Sequence, residues 1–383
     1  MRWTGIGLLA ASMLIFAIAA CQRAGQPATP AGVAKFTTID FAHVANYAAP
    51  DLPAYFDRTV AALDNSPADN RIDDRIATLG RVLFYDLRLS VNNRASCASC
   101  HQQAFGFGDT MRFSNGITTA GTTEFHAMRL GNSRYWQPGS TFWNRREASI
   151  ELEASHPLRA PVEMGWGGPV HGFDELIGKM GATAYYPDLF AWAFGSPGIS
   201  EKRMQRALAQ FVRAMVARSS RWDAGYARVF SPTAPNRALD VDLANFTPQE
   251  NRGRHLFMTA AGQGGAGCSA CHLPPTFALA ATARSNGLDA GETRLFKAPS
   301  LRNAGLSGPY MHDGRFATLA EVVDFYDHGV QAGPALDDRL KQGGKPQRLG
   351  LSAVDRAALV AFLMTLNDDV LTKDPRFADP FRR

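Results

Sequence analysis

Two segments repeat one chemistry-bearing spacing: Cys97-Ala98-Ser99-Cys100-His101 and Cys268-Ser269-Ala270-Cys271-His272. Cys-x-x-Cys-His is the attachment signature of a c-type haem. The two thiols bond covalently to the haem vinyl groups, and the following His reaches the iron from the proximal side. A structural zinc knuckle and a redox dithiol are the competing uses of such a pair. Zinc would need further Cys or His close by, and neither segment supplies enough. Chance rarely produces two matches in one chain. The motifs therefore predict two covalent haems, one on Cys97, Cys100 and His101, the other on Cys268, Cys271 and His272.

The elements that must hold these motifs also occur twice. Gly80-Arg81-Val82-Leu83-Phe84 and Gly253-Arg254-His255-Leu256-Phe257 stand 17 and 15 residues ahead of the first cysteine of their motifs, the mark of a duplicated module. Each copy has a closing helix. Ser200 caps a run in which Met204, Ala207, Leu208, Phe211, Val212 and Met215 recur at helical spacing. Ser352 and Asp355 resemble a capping box ahead of Leu359, Val360, Phe362, Leu363 and Leu366. Opening helix, haem motif and closing helix describe a cytochrome c module. The expected fold is all-α, with two cytochrome c-like domains, each carrying one covalent c-type haem. Residues 51–236 form the N-terminal domain and 237–383 the C-terminal one, joined through Ala234 to Asn245. Thr247-Pro248 opens the second module with a cap and a proline at the first helical position. The stretch from the first motif to residue 200 is rich in Gly, Pro and aromatics and too long for a simple loop. Function is expected there.

The fifth cysteine, Cys21, belongs to a different signal. Arg2 precedes an apolar core (Ile6 to Leu9, Met13 to Ile18) that ends in Ile18-Ala19-Ala20-Cys21. Residues 1–20 read as a lipoprotein signal peptide, too short for a stable membrane span, ending in a bacterial lipobox. The other reading is an ordinary secretory peptide with a chance cysteine. Both export the chain, and c-type haem is attached outside the cytoplasm. The expected location is the periplasm, with lipid on Cys21 as the membrane contact. Residues 21–50 are a tether and N-terminal extension, rich at first in Ala, Pro and Gly. A hydrophobic content of 45% supports two real cores. The formal charge of +5 omits the haem propionates, which bring the loaded protein nearer neutrality, so the charge implies no nucleic-acid function.

Residues 69–367 resemble the bacterial di-haem cytochrome c peroxidase family, which includes the MauG-like enzymes. The resemblance is carried by the two haem motifs, by Phe142-Trp143 followed by Pro161-Val162-Glu163-Met164-Gly165, and by Lys297-Ala298-Pro299-Ser300-Leu301-Arg302-Asn303 leading to Pro309-Tyr310-Met311-His312-Asp313-Gly314-Arg315. It implies that peroxide reacts at the N-terminal haem and that the C-terminal haem relays electrons. Glu163 stands where the family keeps its distal acid-base carboxylate, 20 residues after Trp143, and such a group moves a proton between the peroxide oxygens. Ten residues earlier the common residue is Gln, and here it is Glu153. Two carboxylates could share one pocket and raise one apparent pKa, or Glu153 points to solvent.

Pro157 matches the proline that MauG-like members place over the open haem face. Proline cannot ligate iron, so the resemblance implies an N-terminal iron ready for peroxide without prior reduction. Peroxidases of the other type carry a displaceable His in this region. His126 fits that spacing poorly, His156 adjoins Pro157, and an ordinary hydrogen-bonded role suits both. For the second iron the sixth-ligand candidates are Tyr326, Met311 and Met364. Tyr326 holds the position where MauG-like members have Tyr and the peroxidases have Met, with Met311 the alternative. A phenolate would stabilise the ferric state and lower the potential. Trp143 matches the family's residue between the haems. The family also binds one Ca²⁺ through an Asn side chain and backbone carbonyls, which maps to Asn132, Ser307 and Pro309.

These features predict a di-haem peroxidase that reduces hydrogen peroxide at the N-terminal haem. Its electrons come through the C-terminal haem from a small donor protein, a cytochrome c or a cupredoxin. The alternative is a MauG-like oxidase that modifies a partner protein's side chain, toward which Pro157 and Tyr326 lean. A non-catalytic di-haem electron carrier is a further alternative, and it gives no role to Glu163.

Overall fold

The two glycines that anchor the sequence repeat are where the two halves of the fold are built. In the computed structural model, which describes residues 30, 32–117, 121–136, 141–278, 284–297 and 299–382, helix α1 spans Asp74–Tyr85 and starts on Asp73. The Asp73 carboxylate accepts from the N–H groups of Arg75 and Ile76. It crosses helix α2, Glu201–Ala214, whose cap is Ser200. A Cβ on Gly80 would lie 2.0 Å from the Ala207 carbonyl oxygen, so the backbones touch where only glycine fits. In the second half helix α3, Pro248–Met258, crosses helix α5, Ala353–Met364, and a Cβ on Gly253 would lie 1.9 Å from the Ala358 carbonyl oxygen. An aromatic pair closes each crossing: Phe84 with Phe211 at 5.4 Å, and Phe257 with Phe362 at 5.1 Å between ring centroids. Thr247 caps α3 with Pro248 at the first position and Glu250 returning the bond.

Each crossing seeds its own core, and the cores interleave along the chain. Tyr55, Trp222 and Tyr226 are buried with Phe257, Phe277 and Phe362 in the second core, although they precede residue 237. Leu371 and Phe377, from the far end of the chain, are buried in the first. Tyr85 donates to the Phe377 carbonyl at 2.6 Å, and Arg81 Nε donates to the Ala378 carbonyl at 2.7 Å. Among the described residues the sheet is a two-residue hairpin, Lys341–Gln342 with Lys345–Pro346, so the architecture is helix-rich as expected. No helix among them is long and apolar enough to cross a membrane. The signal peptide, Cys21 and the first part of the tether lie outside the described residues.

Candidate active site

The first motif forms one helical turn, Cys97–Cys100, closed by the Ser96 N–H donating to Ser99 Oγ at 3.0 Å. His101 Nδ1 lies 3.0 Å from the Phe107 carbonyl oxygen. A carbonyl only accepts, so Nδ1 carries the proton and Nε2 keeps its lone pair for a metal. The loop that brings Phe107 there needs a left-handed residue, Phe107 at φ 63°. The second motif repeats it with Phe277 at φ 52° and a Leu273–Ala278 bridge in place of Gln102–Gly108. His272 Nδ1 is buried without a partner among the described residues. Burial pushes the thiols of Cys97 and Cys268 up to about 12 and those of Cys100 and Cys271 to about 11. All four are free. Thiols held protonated this way are poor redox nucleophiles, which counts against a redox dithiol at either motif.

Cys268, Cys271 and His272 line a cavity walled by Phe257, Val323, Leu359 and Leu363, a fitting apolar lining for a haem. Tyr326 and Met311 enter the same cavity. Helix α4, Leu319–Asp324, ends in a π turn over Phe325–Gly329, and the extra residue in such a turn re-aims its side chains. Asn286 Nδ2 lies 3.4 Å from Tyr326 Oη and 3.5 Å from Met311 Sδ, so one amide touches both candidate ligands. Burial raises the Tyr326 phenol to about 12. Met364 is 47% exposed and lies outside the cavity lining, which removes it as a ligand candidate.

Glu163 sits on a turn pinned at three points. The Ile117 N–H donates to the Val162 carbonyl at 2.8 Å, the Val91 N–H to the Met164 carbonyl at 3.0 Å, and Trp166 Nε1 to the Leu89 carbonyl at 2.5 Å. The turn brings the Glu163 carboxyl close enough to the first motif for its charge to act on Cys97 and Cys100. Burial raises the Glu163 pKa, and Arg146 and then His156 oppose the rise. Pro157 lies in the short helix Ser155–Arg159. His156 is committed to Glu147, 2.5 Å from its carboxylate, with its ring edge on Phe142. His126 is buried, its Nδ1 on the Met111 carbonyl at 3.0 Å.

The Glu153 carboxyl is buried away from solvent, and Arg146 and His156 act on it as they act on that of Glu163. It accepts from the Phe142 N–H at 3.3 Å. Burial raises its pKa, and Lys297 is the largest opposing influence. Burial in turn lowers the Lys297 pKa, with Glu153 opposing. The Lys297 ammonium stands 3.5 Å from the Trp136 ring centroid, and the Lys297 N–H donates to the Trp143 carbonyl at 2.8 Å.

Trp143 lies where the halves meet. Its indole N–H donates to the His126 carbonyl at 2.7 Å, the His126 N–H donates to the His312 carbonyl at 2.9 Å, and its ring stands 6.5 Å from that of His312. Trp143, His126 and His312 all border the His272 cavity, as does Pro309. Of the residues named for calcium, Asn132 has its side-chain oxygen on the Ala217 N–H at 2.7 Å. The Ser307 carbonyl accepts from the Arg129 guanidinium. Sequence reasoning missed Arg129, Arg146, Asn286 and Lys297. Only Lys297 lay inside a quoted motif; Arg129 and Asn286 act through partners distant in sequence.

The family model described as di-haem cytochrome c peroxidase matches residues 74–228. A methylamine utilization protein MauG from Methylorubrum extorquens is 31% identical over 319 residues, covering 78% of this chain and 80% of its own. A cytochrome-c peroxidase IdrP1 from a Pseudomonas species is 28% identical over 355 residues, covering 81% and 86%. Among solved structures, a MauG-like protein associated with microbial copper homeostasis superposes with TM-score 0.68 at 33% identity, covering 86% of this chain and 98% of that one. The chain thus belongs to the di-haem cytochrome c peroxidase family, MauG-like enzymes included, as an oxidoreductase that acts on peroxide with two c-type haems rather than a non-catalytic carrier.

Proposed function

We propose that the two halves divide the peroxidase reaction: residues 51–236 hold the peroxide-reacting site at His101, and residues 237–383 hold the electron-relay site at His272. Each half carries one covalent haem c, on Cys97 and Cys100 and on Cys268 and Cys271. The bound haems supply peroxide activation and one-electron exchange. The observation that carries the assignment is Glu163, a carboxyl with a raised pKa held against the first Cys-x-x-Cys-His turn. A buried carboxyl with a raised pKa can take a proton from the proximal peroxide oxygen and return it to the distal one. Pro157 has no ligating atom and leaves that face open to peroxide. Trp143 spans the boundary as the electron or hole relay, held rigid by its bond to the His126 carbonyl. Glu153, facing Lys297, keeps a second proton-bearing group beside Phe142-Trp143.

Tyr326 favours a second outlet for the same oxidising equivalents. Its hydroxyl shares the His272 cavity, and a phenolate ligand disfavours reduction from a small donor. Under that reading a partner protein's side chain, rather than a cytochrome c or cupredoxin, is oxidised, as a MauG-like enzyme would do. Export and lipid attachment at Cys21 complete the proposal and rest on residues 1–21.

The test is low-temperature EPR of the oxidised, haem-loaded protein. One high-spin and one low-spin ferric signal are expected, with Tyr326→Phe displacing only the low-spin one. Two low-spin signals would contradict an open His101 site. A low-spin signal untouched by Tyr326→Phe and displaced by Met311→Leu would move the ligand to Met311.

A further inference from the structure

The calcium expectation meets a side chain already in place. Asn132, which was to offer its side-chain oxygen, has a structural job that the second half repeats. Both Asn132 and Asn303 follow their haem His by 31 residues and are left-handed, at φ 62° and 64°. Asn132 donates its N–H to the Met215 carbonyl and accepts from the Ala217 N–H at 2.7 Å. Asn303 donates to the Leu366 carbonyl and accepts from the Asp368 N–H at 2.6 Å. In both halves the amide oxygen ties down the chain leaving the closing helix, so its use in the first half calls for no metal.

The halves differ three residues earlier. In the second half Ser300 stands there, and its hydroxyl stays at home, on the Thr276 carbonyl at 2.8 Å. In the first half the same place holds Arg129, long enough to cross the interface. Its stem passes so close to Gly108, beside the His101 loop, that a Cβ there would lie 2.8 Å from Arg129 Cγ. Its guanidinium donates to the Ser307 carbonyl and, at 3.1 Å, lies on the Ser307 hydroxyl. The charge also stands 5.8 Å from the Tyr310 ring centroid, inside cation–π reach. Ser307 leads directly into Pro309, Tyr310, Met311 and His312, the segment that borders the second cavity. Arg129 therefore ties the proximal loop of one site to the wall of the other.

A calcium ion needs six to eight oxygen ligands at 2.3–2.6 Å. A guanidinium already donates to the Ser307 carbonyl and does not lose its proton in proteins, so a calcium ion on that oxygen's other lone pair would stand beside a fixed positive charge. Two cations at one carbonyl also repel each other. We propose that Arg129 is the resident cation of this interface and takes the place of calcium, so that the two halves are held in register without a metal ion.

The experiment uses the full-length, haem-loaded protein. Calcium is measured by mass spectrometry of the metal content after dialysis against EGTA, with ferric EPR and the melting midpoint recorded before chelation, after it, and after adding calcium chloride. Expected are far less than one calcium per chain and no change in EPR or midpoint at any stage. One retained ion per chain, or an EPR change on chelation that calcium reverses, would overturn the proposal. Arg129→Ser, which copies the second half, is expected to melt below wild type, with Arg129→Lys between them because the charge remains. An Arg129→Ser protein melting with wild type would also overturn it. If that variant does not fold, the wild-type metal content and chelation response still decide.

Discussion

At the scale of single residues, the site is organised by what burial does to charge. Glu163 is raised by burial more than Arg146 and His156 lower it. A carboxyl whose folded pKa lies above its unfolded value contributes stability while protonated. That contribution is full below the ordinary carboxylate pKa of about 4.3 and is lost as pH climbs through the raised folded value. At neutral pH the ionised form is therefore a cost to the fold. Glu163→Gln is expected to melt no lower than wild type at pH 7, while peroxide turnover falls by about 10²-fold or more, the usual loss for a positioned acid-base group. Melting curves and steady-state peroxide consumption check both halves. A variant that melts well below wild type at pH 7 would mean that Glu163 is structural.

At the scale of elements, the helix crossings carry the arrangement. Gly80→Ala and Gly253→Ala each drive a methyl against a backbone carbonyl, at 2.0 Å and 1.9 Å. Side-chain repacking cannot relieve a clash with backbone. Each is expected to destabilise by about 3 kcal/mol, at or above the top of the usual overpacking range, read from chemical denaturation of the haem-loaded protein. Gly178→Ala is the control. Gly178 lies in the helix Phe173–Gly181 with nothing within 4 Å of a new Cβ, and the change is expected to stabilise by up to about 1 kcal/mol through helix propensity. Losses confined to one of the two crossings would show that the halves do not depend equally on close approach.

At the scale of the whole molecule, function depends on the boundary between the halves. Trp143, His126 and His312 meet there through an indole-to-carbonyl hydrogen bond of 2.7 Å and a backbone one of 2.9 Å, and Arg112 Nε adds a bond of 2.9 Å to the Asp313 carbonyl. Trp143→Phe keeps the packing surface but removes the indole N–H and its easier oxidation. Stopped-flow mixing with peroxide is expected to show the first reaction at close to the wild-type rate. Steady-state oxidation of a reduced donor should fall at least about tenfold, equivalent to about 1.4 kcal/mol of barrier. Equal losses in both phases would place Trp143 in the peroxide step and not between the sites.

The sequence by itself determined what is local: the haem motifs, the duplicated opening and closing helices, their caps at Ser200, Thr247 and Ser352, and the glycines of the repeat. Each is a spacing within one or a few turns, so residue type and period suffice. It also marked Glu163, Trp143 and Tyr326 as residues of interest, because they stand in distinctive short motifs. Only the tertiary structure decided which distant charges meet. Arg129 reaches a carbonyl 178 residues away, and Asn286 touches a phenol 40 residues on. Lys297 faces Glu153 because the interface folds them together. Asn132 shows the limit most plainly: its amide oxygen accepts from the Ala217 N–H, 85 residues on. No spacing reveals that, because a buried hydrogen bond is fixed by the packing of the two chain segments it joins.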